Sequence, residues 1–228
     1  MFKNGRVTAI VVAAGASRRM DGQDKLLTEL GGRPLIIRTL GAFAASHLID
    51  DIILVAGHQK LDKMIMLCKQ YNLDKGVKVV AGGARRQDSV AAGLKEATGA
   101  WVLVHDGARP MVTGELIAAV LDAATATGAA VPALPVTDTI KQAEEGKVVR
   151  TLDRSNLYAI QTPQAFQCEI LRAAYHQAEI EATDDAQLVE KTGIKVSLCE
   201  GSYDNIKVTT PLDLDLARSL INRRGGEQ

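Results

Sequence analysis

Four short stretches of this chain set small residues, cations and carboxylates close enough together to hold a phosphate chain. The first is Ala13-Ala14-Gly15-Ala16-Ser17-Arg18-Arg19-Met20, continuing to Asp24 and Lys25. Small residues let the backbone come close to a bound anion, and exposed amides with two or three cations complement its charge. The stretch therefore reads as a cradle for a triphosphate. It is neither a GxxxxGK[ST] loop nor a GxGxxG fingerprint, since neither pattern occurs in the chain. Gly-Ala-Ser alone would equally suit a glycine turn before a solvated basic helix start. Arg18, Arg19 and Lys25 favour ligand binding, because open α/β sheets take their ligands at the carboxyl ends of the strands.

The second stretch is Gly82-Gly83-Ala84-Arg85-Arg86-Gln87-Asp88-Ser89, a glycine turn entering a helix. Such a loop can read the edge of a base through backbone groups and the Ser89 hydroxyl; an ordinary turn with a helix cap is the alternative. The third, Val102 to Pro110, reads VLVHDGARP and places Asp106 directly after a buried strand. A carboxylate there is costly without a cation. A magnesium ion carrying nucleotide phosphates would supply one, and a simple pairing with Arg109 is the alternative. The fourth, Asp204-Asn205-Ile206-Lys207-Val208-Thr209, adds a second acid and a second lysine before a helix start at Thr210-Pro211-Leu212-Asp213. Asp106, Asp204 and Lys207 could then hold metal and phosphate from the side opposite the opening loop. In isolation the same hexapeptide would pass for a surface strand.

These stretches need a scaffold that brings strand ends together, and the rest of the chain supplies one. Short β-branched runs alternate with segments of helical period, the pattern of parallel strands joined by crossover helices. Strands are expected at Val7–Ala13, Ile52–Ala56, Val77–Ala81, Trp101–His105, Ala129–Leu134 and Lys195–Cys199. They are apolar almost throughout, as strands covered by helices on both faces must be. Leu116, Ile117, Val120, Leu121 and Ala124 form one helical stripe, with Thr113 placed to cap it and Gly128 to stop it. The fold class is α/β: a single domain, residues 1–228, with a mainly parallel, Rossmann-like sheet. From Pro135 to Thr151 the rhythm breaks. Thr137–Lys141 and Lys147–Thr151 flank the turn-forming Glu144-Glu145-Gly146, which reads as a protruding hairpin arm at about 135–155. An isolated hairpin is marginal in water, so the arm is expected to pack on a second subunit, with its own domain as the alternative. Arg223–Gln228 are expected to fray.

Composition narrows the function classes. Apolar residues make up 46% and charged residues 24% of 228, ordinary globular usage. Aromatics are only 4%, so Val, Ile, Leu and Ala must build the core. Lys+Arg and Asp+Glu balance at 27 each, which leaves no bulk positive field for a nucleic acid or an anionic membrane. Any anion site must be local. The opening apolar run is too short for a signal peptide or a spanning helix, so a cytoplasmic location is expected. Cys68, Cys168 and Cys199 are odd in number and far apart, which fits buried inert thiols better than a disulfide or zinc site.

The opening motif, AAGxSxRMxxxK in general form, resembles that of nucleotidyltransferases of the glycosyltransferase-A-like superfamily. The four stretches together with PVTDTIK at 135–141, TLDRSNLYAIQTPQAF at 151–166 and TDDAQLVEKTG at 183–193 resemble the erythritol-phosphate cytidylyltransferase family in order and spacing, over essentially the whole chain. HDGARP, DTIK, QTPQ and DNIKVT are the more specific signals. The resemblance implies CTP as co-substrate, Mg2+ or another divalent cation, and a homodimer. It implies catalytic roles for Arg19, Lys25, Arg154 and Lys207. Ala13, Ala14, Gly15, Ala16, Ser17, Gly82, Gly83, Ser89, Asp106 and Gly107 would bind the nucleotide, and Arg109, Thr139, Arg154, Thr162 and Lys207 the sugar-alcohol phosphate. Asp106 and Asp204 would be the metal carboxylates. Thr139 and Arg154 lie on or beside an arm that the family exchanges across a dimer. Gly107 stands where the family commonly has Ala, and the Arg19–Lys25 spacing is shorter than in some members.

The chemistry so implied is in-line attack of a phosphate oxygen on the α-phosphorus of CTP. A phosphate monoester loses its second proton near pH 6, so the nucleophile is already anionic and needs no general base. What the reaction does need is relief of repulsion between two polyanions, which fixed cations supply. A pentitol-phosphate cytidylyltransferase is the nearest alternative. A nucleotide-dependent oxidoreductase and a non-catalytic nucleotide-binding protein are more distant ones.

Overall fold

The computed structural model describes residues 2–3, 5–15, 24–73, 76–178 and 181–225, with side chains to Arg223. In chain order the elements are β1 (Val7–Ala13), β2 (Glu29–Leu30), β3 (Arg33–Pro34), α1 (Leu35–Ala44), β4 (Asp51–Ala56), α2 (Leu61–Gln70), β5 (Val77–Ala81), α3 (Arg86–Glu96), β6 (Trp101–Asp106) and α4 (Gly114–Ala124). They continue with β7 (Ala129–Pro135), β8 (Lys141–Glu144), β9 (Lys147–Thr151), β10 (Tyr158–Ile160), β11 (Gln164–Gln167), α5 (Cys168–His176), α6 (Asp185–Lys191), β12 (Ser197–Glu200) and α7 (Pro211–Gly225).

The strands β5, β4, β1 and β6 run parallel in that spatial order. β11 is inserted antiparallel between β6 and β7, β10 continues it along β7, and β12 pairs parallel with the other side of β7. The sheet is thus mainly parallel and flanked by helices, as the sequence predicts. Its pleat explains the unbroken apolar runs. Val7, Ala9, Val11 and Ala13 of β1 pack in one cluster with α1, α2, α4 and α7, whereas Ile10 packs in a second with α3, α5 and α6. Each fully buried Leu or Ile in these clusters contributes roughly 1.5–3 kcal/mol.

Local signals act as expected at several boundaries. The Thr113 hydroxyl accepts from Leu116 N and caps α4. The helix ends at Ala124, and the Gly128 amide closes that end on the Ala124 carbonyl at 2.8 Å with φ at +84°. Glu145 and Gly146 both take positive φ, 49° and 77°, as a two-residue hairpin turn matching strand twist requires.

Four expectations need correction. The first arm strand is Lys141–Glu144 rather than Thr137–Lys141, because the segment before it is irregular. The last sheet strand is Ser197–Glu200, two residues later than expected at its start. β10 and β11 are additional antiparallel strands. Fraying does not begin at Arg223: α7 runs to Gly225, and Arg223 pairs with Asp204 at 3.0 Å, while residues 226–228 lie outside the described residues. The arm itself buries little on its own chain. Every residue of β9 is exposed, Val148 by 64% and Val149 by 53%.

Candidate active site

The carboxyl ends of β1, β5 and β6 open on a cavity of about 490 Å³. One wall is the end of β1 with Ala13, Ala14 and Gly15; the next is the loop into α3, with Gly83, Ala84, Arg85, Arg86 and Ser89. Asp106 and Ala108 belong to the floor, and Lys25, Lys207 and Thr209 complete the rim. Two lysines 182 positions apart in sequence therefore meet at one cavity, and the backbone explains how. Lys25 Nζ donates to the Val208 carbonyl at 3.0 Å, and the Val208 amide donates to the Ala108 carbonyl at 2.8 Å. The segment 201–209 is thereby tied to the turn after β6 and to the residue that follows the opening loop.

Further bonds hold that segment. Asn205 is fully buried and donates to the Thr162 carbonyl at 2.8 Å. Gln161 exchanges bonds with both backbone groups of Ser202, at 2.9 and 3.1 Å. At the far end the Asp213 carboxylate accepts from Thr209 N, Thr209 Oγ1 and Thr210 N within 2.8 Å. Burial pushes its pKa up, but these donors outweigh it and hold the carboxyl below the ordinary range. Lys207 is delivered by a loop fixed at both ends.

Asp106 is the electrostatic centre. It is 8% exposed, with Lys207 Nζ 2.8 Å from Oδ2, Arg109 Nε 3.7 Å from Oδ2, and Arg86 Nε 3.5 Å from Oδ1. Burial raises its pKa, yet Lys207, Arg86 and Arg109 together prevail and hold the carboxyl well below the usual range. Burial also works against the charge of Arg86, but Asp185 at 2.8 Å and then Asp106 keep it firmly cationic. Burial lowers the pKa of Arg109, with Asp106 opposing that shift.

The buried polar groups beneath the floor form a directed chain. Burial pushes His105 down to about 4, so the ring is neutral at pH 7. Its Nε2 lies 3.1 Å from the Arg109 carbonyl, which can only accept, so Nε2 carries the proton. Nδ1 is then a lone pair that receives the Thr162 hydroxyl at 3.0 Å, while Thr162 Oγ1 accepts the Asp106 amide at 3.1 Å. Each donor has its acceptor, and the turn that presents Asp106 is fixed.

The sequence-predicted residues divide accordingly. Ala13, Ala14, Gly15, Gly83, Ser89, Asp106, Lys25 and Lys207 border the cavity. Gly82 and Gly107 stand behind it. A Cβ on Gly82 would come within 2.7 Å of both Ala14 Cβ and Ser89 Oγ, so the small residue lets two walls meet. A Cβ on Gly107 would lie 2.9 Å from Ile36 Cδ1. The Ser89 hydroxyl is committed to its own loop, accepting from Gly83 N at 3.2 Å and donating to the Arg85 carbonyl at 3.1 Å. Thr162 is 5% exposed and engaged as described, and Arg109 donates to the Asn205 carbonyl at 2.7 Å. Both brace the site rather than line the cavity. Thr139 and Arg154 are exposed at the base of the arm, where Arg154 donates to the Thr137 carbonyl, and neither borders this cavity. Ala16, Ser17 and Arg19 lie outside the described residues.

Each acid of the proposed metal pair has basic partners of its own. Asp204 pairs with Arg223 and is no part of the cavity wall, while three basic side chains already surround Asp106. No group of three or more His, Cys, Asp or Glu among the described residues could hold a metal. The donor set does not fit a metal seated on Asp106 and Asp204. The cation that Asp106 demanded is supplied by the chain, chiefly from Lys207 and from Arg86. Sequence reasoning quoted Arg86 without giving it a role; the need for a partner to a buried acid was the signal, but no local spacing names one 20 positions away.

This geometry can be set beside known proteins. The family model described as 2-C-methyl-D-erythritol 4-phosphate cytidylyltransferase matches residues 7–223. The protein of that name from Dehalococcoides mccartyi is 47% identical over 225 residues, 98% of this chain and 99% of that protein. Its counterpart in Halalkalibacterium halodurans is 42% identical over 219 residues, 94% of this chain and 96% of that one. Among solved structures, the 4-diphosphocytidyl-2C-methyl-D-erythritol synthase of Anaerococcus prevotii superposes with a TM-score of 0.84 at 33% identity, covering 95% of this chain and 98% of that chain. The Thermus thermophilus cytidylyltransferase gives a TM-score of 0.76 at 37% identity, with 93% and 98% covered. With its fold and nearly its whole length matched, this chain belongs to the 2-C-methyl-D-erythritol 4-phosphate cytidylyltransferase family.

Proposed function

We propose that this chain transfers CMP from CTP to 2-C-methyl-D-erythritol 4-phosphate, releasing pyrophosphate and giving 4-diphosphocytidyl-2-C-methyl-D-erythritol for non-mevalonate isoprenoid synthesis. The observation that carries the reading is the meeting of Lys25, Lys207 and Asp106 at one cavity on the carboxyl edge of the sheet. The nucleotide lies against the β1 end and the loop into α3, where small residues allow close backbone approach. Lys25 and Lys207 face the phosphates, and their fixed charges offset the repulsion of the incoming phosphate monoester. That monoester is already anionic at pH 7. No general base is invoked, and His105, neutral and hydrogen-bonded through both nitrogens, is not placed to act as one. Arg19 belongs to the same set of cations by its place in the opening motif.

The proposal includes a homodimer through the arm at about 135–155, within a one-domain chain. It is supported by the exposure of Val148 and Val149 and by the position of Thr139 and Arg154 outside the chain's own cavity. In a dimer these two residues would serve the partner's acceptor site. Mg2+ or another divalent cation is proposed to arrive on the triphosphate. No helix among the described residues is long and apolar enough to cross a membrane, and the proposed location is the cytoplasm. The reading is tested by pyrophosphate release from CTP with methylerythritol phosphate against ribitol phosphate. Release with the first and little with the second is expected; the reverse would reassign the acceptor.

A further inference from the structure

The mechanism above leaves one buried charge network without a task. Arg86, the first residue of α3, places Nη2 2.8 Å from Asp185 Oδ2 and Nε 3.5 Å from Asp106 Oδ1. Asp185 is only 1% exposed, and its other oxygen accepts the Tyr175 hydroxyl of α5 at 2.5 Å. Beside it, Gln164 of β11 donates to Asp184 at 2.8 Å and accepts from the Ala186 amide at 3.2 Å, which fixes the start of α6. A carboxylate as buried as Asp185 needs both a cation and hydrogen-bond donors, and here it has them. The result is a guanidinium held rigidly from behind, with its Nε edge turned toward the cavity floor.

That orientation divides the two oxygens of Asp106. Oδ2 faces Lys207 and Arg109, on the side of the 201–209 segment, whereas Oδ1 faces Arg86 on the side of the loop into α3. The loop side is where small residues leave room for the nucleoside. A carboxylate can accept about four hydrogen bonds, so Oδ1, fixed by one cation, keeps a lone pair for a hydroxyl of the sugar. Were Arg86 absent, Lys207 and Arg109 would still hold Oδ2, but among the described residues no cation would remain on Oδ1 to set the rotation of the group.

We propose that Arg86 is a positioning residue for the nucleotide: anchored by Asp185 and Tyr175, it fixes the Asp106 carboxylate on the face of the cavity that receives CTP. The inference rests on the nucleotidyltransfer reading and deepens it. Only a guanidinium spans the two carboxylates, since an ammonium is a single point charge that cannot present two edges.

The test compares Arg86→Gln, Arg86→Lys, Asp185→Asn and Tyr175→Phe with the wild type, by steady-state kinetics and by calorimetric titration with CTP. Loss of one charge-assisted contact should raise KM and Kd for CTP about ten- to a hundredfold in Arg86→Gln, with KM for the acceptor within about threefold of wild type by the same reasoning. Arg86→Lys should recover part of the loss. Asp185→Asn and Tyr175→Phe, which alter no cavity atom, should move KM for CTP in the same direction by less. Arg86→Gln should cost less in the Asp185→Asn background than in wild type. Folded Arg86→Gln with unchanged CTP affinity, or with both KM values raised equally, would overturn the proposal. If Arg86→Gln does not fold, unchanged CTP affinity in both Asp185→Asn and Tyr175→Phe overturns it instead. Wild type that binds CTP without turnover would defeat the reaction alone, and the Kd comparison would still decide the role of Arg86.

Discussion

Lys207 Nζ lies 2.8 Å from Asp106 Oδ2, joining a loop near the end of the chain to the last residue of a central strand. The pair turns a buried carboxylate from a liability into an anchor. It also parks an ammonium at the mouth of the cavity, where a phosphate can compete for it. Among the described residues, Lys25, Arg86, Arg109 and Lys207 gather here around Asp106 and Asp185, and Arg85 in the cavity wall pairs with Asp88. These described groups together carry a net positive charge in a chain that is neutral overall.

Removing the acid should destabilise the fold. Asp106→Asn leaves Arg109 and Lys207 without their counter-charge and Arg86 with Asp185 alone. Breaking a fully buried pair costs about 3–5 kcal/mol; with Lys207 43% exposed, a loss of about 1–3 kcal/mol is expected. The change should appear as a lower urea midpoint at pH 7. Because the folded pKa of Asp106 is depressed, its contribution is complete above the unfolded value of about 4 and is lost as pH falls through and below that value. The gap between wild type and Asp106→Asn should therefore narrow in acid. A gap independent of pH down to acid unfolding would contradict the assignment.

Thr162 offers a sharper structural test. Its hydroxyl accepts the Asp106 amide and donates to His105 Nδ1, so Thr162→Val strands two buried groups at a cost of roughly 1–3 kcal/mol. Thr162→Ser retains both bonds and should stay close to wild type in thermal stability. Equal stability of the Val and wild-type proteins would remove the hydroxyl from the brace.

The arm makes a quaternary prediction. Replacing Val148 and Val149 by Asp should convert a dimer to a monomer in sedimentation, without unfolding the sheet, since both side chains are exposed on a single chain. The monomer should lose affinity for the acceptor phosphate. A wild-type protein that sediments as a monomer while fully active would end the dimer proposal.

Arg154→Ala should raise KM for the sugar-alcohol phosphate more than KM for CTP, because Arg154 stands at the base of the arm and away from the cavity of its own chain. An equal effect on both substrates would make it a purely structural residue that ties the arm to the Thr137 carbonyl.

Much of this architecture is legible in sequence because its physics is local. The run Val7–Ala13 is almost wholly apolar on both faces since helices cover both faces of the sheet, and Gly146 announces the hairpin turn as a residue that takes positive φ freely. β10 and β11 were hidden for a physical reason. Gln161, Thr162 and Gln164 are polar and give no strand pattern, yet they are buried because their side chains bond to segments distant in sequence. The same limit applies at the site. The need of Asp106 for a cation could be read from its place after an apolar strand, but Arg86 and Lys207 come from remote segments that only the folded topology brings together. Asp106 and Asp204, read from sequence as metal carboxylates, are engaged in the structure by Lys207 and by Arg223, partners that no local spacing announces.

Turnover depends, in the reaction proposed, on fixed cations offsetting the repulsion between two phosphorylated molecules. The most direct test of this dependence is the single-turnover rate of pyrophosphate release by Lys207→Ala at saturating CTP and methylerythritol phosphate, alongside circular dichroism to establish folding. Loss of a preorganised cation of this kind should slow that step about a hundred- to a thousandfold, or about 2.7–4 kcal/mol. A folded Lys207→Ala protein that released pyrophosphate at nearly the wild-type rate would contradict it.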